Sequence, residues 1–311
     1  MSLYGNSENE QKQNLRERAE TGSAIVEFDK LRTRTRTYNI LQKVMYVAAV
    51  IIGIVIFIAA GWIALAIYAV VAIAIIIVTA IKISAVNKEY TASFKENIVK
   101  AELESVLQNV DYKPAERFND YTIKTSGLFP GYDSSSGNDY FSADYNGRRY
   151  TMSDVHLEDK EEYTTTDSDG DSHTETRYTT LFRGRMIMFD CDAVSDSPVY
   201  IYDRKMRNVR SEIRTESDAF NEQFVIRADD GAAALRILTP QMIEKIMYAA
   251  GKINSTISIS FLQDKVFVAV TGANAFEAKI IGDTTLNTQR ERIRGEVMAL
   301  VNTLEALGAV L

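Results

Sequence analysis

Hydrophobic and polar positions follow three different rhythms along this chain of 311 residues. From residue 44 to residue 81 there is no charge at all, and Lys43 and Lys82 bracket the run. As one helix at ~1.5 Å per residue it would be about 57 Å long, nearly twice the ~30 Å hydrocarbon core of a bilayer. Two crossings fit better, about 44–60 and 63–81, with a turn at Ala59-Ala60-Gly61-Trp62. Glycine supplies the backbone angles of a tight turn, and tryptophan belongs at a membrane interface. A buried helix pair of a soluble protein would keep a polar stripe, and this run has none. A wedge that dips into one leaflet and returns is the alternative.

The second rhythm starts after Lys82. Tyr90, Phe94, Ile98, Leu103, Val106, Leu107 and Val110 recur at steps of three and four, which predicts an amphipathic stalk helix over 82–112. The third rhythm is mostly alternation, from Tyr121 to about Asp203. Asn146-Gly147 between alternating segments is a strong hairpin signal, and a second hairpin is predicted to turn at Asp167-Ser168-Asp169-Gly170-Asp171. Val199-Tyr200-Ile201-Tyr202 reads as a further short strand.

The final third is mixed. Phe224-Val225-Ile226 reads as a strand and 240–250 as a helix, with Thr239 as its cap, Pro240 in its first turn and Leu238 stapled onto Ile243. Residues 257–261 and 266–270 are expected to form a hairpin around Gln263-Asp264, and a helix over 285–307 closes the chain. Strands and helices are segregated, which makes the soluble part α+β. The predicted organisation is a polar and basic segment 1–43, a transmembrane helical hairpin 44–81, the stalk 82–112 and a cytoplasmic α+β domain 113–311.

Charge then orients the anchor. Lys30, Arg32, Arg34, Arg36 and Lys43 precede the apolar run, Lys82, Lys88 and Lys95 follow it, and the turn between has none. Basic flanks stay inside, so both termini are expected in the cytoplasm of a multi-pass protein of the inner (plasma) membrane. The single cysteine, Cys191, suits a reducing compartment. A net charge of −7 argues against nucleic acid as a partner.

Candidate chemistry is sparse. The Asp167–Asp171 cluster puts Gly170 fourth and Tyr178 twelfth, where a calcium loop needs glycine sixth and an acid twelfth. It reads as a solvated hairpin tip in a densely acidic stretch, with a weak divalent-cation or basic-partner site as the secondary reading. Asp154, His156 and Glu158 share one strand face and are the only seed for acid–base work. There is no phosphate loop, nucleophile elbow or His-Glu-x-x-His pattern, so no catalytic, metal or cofactor residue is assigned. Arg32, Arg34 and Arg36, with Arg204, Lys205 and Arg207, are candidate contacts to phosphates or lipid headgroups.

Five segments add up to a resemblance: Ser126-Gly127-Leu128-Phe129, Ser153-Asp154-Val155-His156, 181–189, 220–226 and Ile237-Leu238-Thr239-Pro240. Over about 90–280, together with the hairpin, the chain resembles a family of uncharacterised bacterial membrane proteins with two spans before a cytoplasmic region. The resemblance implies a small LemA-like membrane protein as a partner and carries no site residues. The function expected is that of a membrane-anchored, non-enzymatic protein whose cytoplasmic domain binds another protein. The alternatives are an enzyme acting on a membrane-associated substrate, and a homo-oligomeric structural component assembled through Ala59, Ala60 and Gly61.

Overall fold

The uncharged run forms helix because aliphatic side chains leave the backbone no polar partner but itself. In the computed structural model, which describes residues 4–129, 131–166, 172–206, 213–280 and 285–308, helix α1 covers Tyr4–Phe94. It is interrupted at Gly61, whose φ of 77° and ψ of −171° lie outside helical geometry. Side chains on either side of the break meet. The Tyr68 hydroxyl donates to the Ala49 carbonyl at 2.8 Å, Asn39 Nδ2 donates to Asn87 Oδ1 at 2.8 Å, and Phe28 stacks on Tyr90 at 5.4 Å. Ile58, Trp62 and Val70 are each at least 70% exposed, so this helix is not the core of a soluble unit. Phe28–Glu104 is long and apolar enough to cross a membrane.

A π-helical turn, Lys95–Val99, and a short α2, Lys100–Glu104, end the helical stretch. The stalk predicted to reach residue 112 therefore stops earlier, and residues 108–113 are a strand. Val110 and Tyr112 satisfy alternation as well as helical spacing, and Asn109 takes a φ of 50°, which ends any helix. Two compact units result: Met1–Val99 with Glu277–Ile293, and Lys100–Phe276 with Arg294–Leu311. The division falls at 99/100, ahead of the expected 112/113.

The second unit is an antiparallel sheet with helices: β1 (Gln108–Lys113), β2 (Ser134–Tyr145), β3 (Arg148–Thr166), β4 (Ser172–Asp203), β5 (Phe224–Ala228) and β6 (Ile257–Thr271). Strands β1 to β5 pair in chain order, and β6 lies along β4. Asn146 and Gly147 both have positive φ, 49° and 77°, as the two-residue turn between β2 and β3 demands. The expected hairpin at Gln263-Asp264 is absent. β6 continues past it as one strand, from Ile259 opposite Ile201 to Thr271 opposite Gly184, with its register on β4 shifting around Gln263. Of the two turn residues only Gln263 has positive φ, and β4 is long enough to pair with both halves.

Short helices α3 (Asp120–Thr125), α4 (Asp218–Gln223) and α5 (Gly231–Ile237) sit between strands, each started by a side-chain cap. α3 lies where β structure is predicted, because Asn119 accepts from the Thr122 amide at 2.8 Å and starts a helical turn. α6 (Pro240–Ile253) begins as expected, with Thr239 accepting from the Met242 amide, and α7 covers Leu286–Gly308. The core gathers Phe118, Ile123, Leu128, Val155, Leu157, Phe182, Met186, Tyr202, Val225 and Phe267. The segments behind the family resemblance thus supply packing residues.

Candidate functional site

The basic residues before the apolar run lie in the first unit. Arg32 pairs with Asp29 at 2.8 Å, the Arg34 guanidinium stands 5.6 Å from the centre of the Tyr38 ring, and Arg36 is exposed. Arg34 and Tyr38 share a groove of about 570 Å³ with Lys82, Ile83, Ala85, Val86 and Glu89. Neither Arg34 nor Lys82 has a carboxylate in ion-pair range among the described residues. Such a groove offers cations beside apolar surface.

The second basic cluster is different. Arg204 turns Nε (3.0 Å) and Nη2 (2.9 Å) onto the Asn221 carbonyl in α4, so its guanidinium is engaged within the fold. The Lys205 amide donates to Asp203 Oδ1 at 2.8 Å and its side chain is exposed. Arg207 lies outside the described residues, as does the Asp167–Asp171 cluster.

Asp154, His156 and Glu158 do not act as one group. His156 Nε2 lies 2.9 Å from Thr180 Oγ1 and 3.8 Å from Glu158, near the surface. Asp154 is buried, with its side chain 2% exposed. Its Oδ1 accepts from Arg185 Nε at 3.0 Å, and its Oδ2 accepts from the Ala275 amide at 2.7 Å. Sequence reasoning missed Arg185, which sits directly opposite Asp154 on β4. The signal was present, since a buried acid on a strand needs a cation across the ladder.

This pair borders a cavity of about 340 Å³ lined by β3, β4, β6, the end of α6 and the later turns of α7. The segment after β6 closes one side. Phe276 is fully buried, its ring lies 4.9 Å from the Arg185 guanidinium, and its amide donates to Glu296 Oε2 at 2.6 Å. Phe276 carries a φ of 59°, a left-handed conformation that a bulky residue adopts only under constraint.

A second feature stands away from the cavity. Beyond Glu158 the β2 ladder ends, and β6 joins β4 only from Gly184. Residues 159–166 therefore pair solely with residues 172–179, as a two-stranded arm whose outer backbone edges meet no strand among the described residues. The side chains of residues 160–165 and 172–179 are exposed, including Tyr163 and Tyr178. Acids outnumber bases seven to two over residues 159–179, which accounts for most of the chain's net −7.

Residues 180–308 match the model of a family described as a protein of unknown function, DUF3137. That domain begins at the foot of the arm and ends with α7. No curated protein matches the chain. Among solved structures, the chain is similar to the mycobacterial trehalose monomycolate transport factor A, TtfA, at 11% identity and a TM-score of 0.34. The likeness covers 67% of this chain and 93% of that one.

Proposed function

We propose that this is an inner-membrane protein that crosses the bilayer twice as a helical hairpin, keeps both termini in the cytoplasm, and uses its α+β unit to bind another protein without catalysis. The anchor reading rests on the exposed aliphatic surface between Lys43 and Lys82 and on the break at Gly61. The basic residues at its base, Arg32, Arg34, Arg36 and Lys82, would meet anionic headgroups, each worth up to ~1 kcal/mol.

The observation that carries the binding reading is the arm. Open strand edges recruit an extended segment by backbone pairing, and natural proteins otherwise shield them. The arm is densely charged, with Lys160 and Arg177 its two bases, and the prevailing acidity selects a basic partner strand. The LemA-like membrane protein implied by the resemblance is the first partner to try.

The test is photo-crosslinking in cells. A light-activated amino acid replaces Tyr163 or Tyr178 in turn, with Glu244, an exposed residue of α6, as the control position. The expected result is one discrete protein adduct from each arm position and none from position 244. No adduct from the arm, or the same adducts from all three positions, would refute docking there.

A further inference from the structure

The cavity beside Arg185 shows an imbalance of hydrogen bonding. Its two acids are occupied: Asp154 accepts on both oxygens, and Glu296 accepts the Phe276 amide. Its donors are not. Arg185 spends only Nε on Asp154, and among the described residues nothing accepts from its two Nη amino groups. The Lys252 ammonium stands 5.5 Å from the Tyr248 ring and has no carboxylate in range. The Asn302 side-chain amide likewise bonds to no described residue.

An exposed lysine without a partner is ordinary, but Arg185 is not exposed. Its side chain is 16% accessible, fixed by Asp154 on one edge and covered by the Phe276 ring. The two Nη groups are reached by solvent from the cavity, so a ligand there would replace water as their acceptor. Here the fork left over is the part of a guanidinium that matches a carboxylate or phosphate with two parallel hydrogen bonds. The strained backbone at Phe276, held by Asp154 and Glu296, fixes that fork at the cavity wall.

We infer that this cavity is a binding site for a small anionic ligand, whose carboxylate or phosphate group sits on the Nη edge of Arg185 with Lys252 and Asn302 on its remaining oxygens. Two acids and two cations line the space, so recognition rests on unfilled N–H donors rather than on net charge. A volume of about 340 Å³ suits a small molecule and not a peptide. The site is independent of the arm, and neither reading needs the other.

The experiment uses the full chain in lipid nanodiscs, titrated with sodium phosphate and separately with sodium succinate at constant ionic strength, with sodium chloride as the control. Thermal melting and calorimetry are the readouts. At least one of the two anions should raise Tm saturably above the chloride control, and which one does so separates phosphate from carboxylate recognition. Arg185→Lys keeps the charge and loses the fork, and should weaken binding by about tenfold or more. Lys252→Ala, a surface change that leaves the Asp154 pair intact, should weaken it by roughly threefold or more. If Arg185→Lys does not fold, Lys252→Ala decides alone. No response to either anion in the wild type, or equal affinity in every folded variant, overturns the site.

Discussion

At the scale of single residues, burial separates structural from surface roles. Phe182 and Phe189 are 3% and 2% exposed, and Phe182 packs 4.7 Å from Phe129. Phe182→Ala or Phe189→Ala should cost about 3–5 kcal/mol, a large part of the stability of an ordinary domain. His156→Ala, by contrast, should change stability by no more than ~0.5 kcal/mol and leave function intact. Thermal melts and complementation of a deletion strain check both. A stable His156→Ala protein that fails to complement would restore the enzyme alternative.

Asp120 yields a pH prediction at the same scale. A hydrogen bond from Ser135, with help from Arg117 and Tyr132, holds its carboxyl below the ordinary aspartate value despite some desolvation. A lowered folded pKa stabilises the fold above the unfolded value of about 4, and that contribution is lost as pH falls through the folded value. Asp120→Asn should therefore lower Tm at neutral pH and match the wild type at about pH 2. A difference that persists unchanged in acid would mean the carboxylate's charge is not the cause.

At the scale of elements, local chemistry and long-range pairing divide the work. Thr239 caps α6 through the Met242 amide, so Thr239→Ala should cost about 0.5–2 kcal/mol, read by chemical denaturation. The arm has little buried apolar surface and, among the described residues, pairs with no other strand, though the Lys160 amide donates to Asp133 Oδ2 at 2.9 Å. Replacing residues 159–179 by a two-residue Asn-Gly turn should leave Tm within about 2 °C, since changes away from buried features cost little. A large drop would make the arm part of the core and remove the argument for docking.

At the scale of the whole molecule, the boundary between units gives the sharpest test. Leu103 and Leu107 are buried, and Glu102, 3% exposed at its side chain, pairs with Arg294 at 3.2 Å. All three precede residue 113, as does all of β1 but its last residue. A fragment of residues 100–311 should melt cooperatively, whereas 113–311 should lack a sharp transition, because it leaves Arg294 and the β2 edge uncovered. Topology has its own check. With Cys191 replaced by serine, cysteines placed at residues 5 and 310 should react with an impermeant reagent only after the inner membrane is opened. Labelling in intact cells would reverse the orientation.

What the chain's residues determined alone was whatever local physics controls. A charge-free run forms a helix long and apolar enough for a bilayer, Gly61 breaks it, Asn146-Gly147 turns a hairpin, and Thr239-Pro240 starts a helix. Each follows from neighbours within a few positions, and so does the α+β class. The path of β6 was decided otherwise, by a partner strand that the expected turn could not foresee. So was the start of the second unit, since Glu102 needs Arg294, 192 positions on. The cavity is the extreme case. Asp154 meets Arg185 across 31 positions and Ala275 across 121, and only their convergence leaves the guanidinium with donors to spare. Spacing along a chain reports which residues share a face, but the hydrogen bonds a buried charge still lacks are fixed only when distant strands and helices close around it.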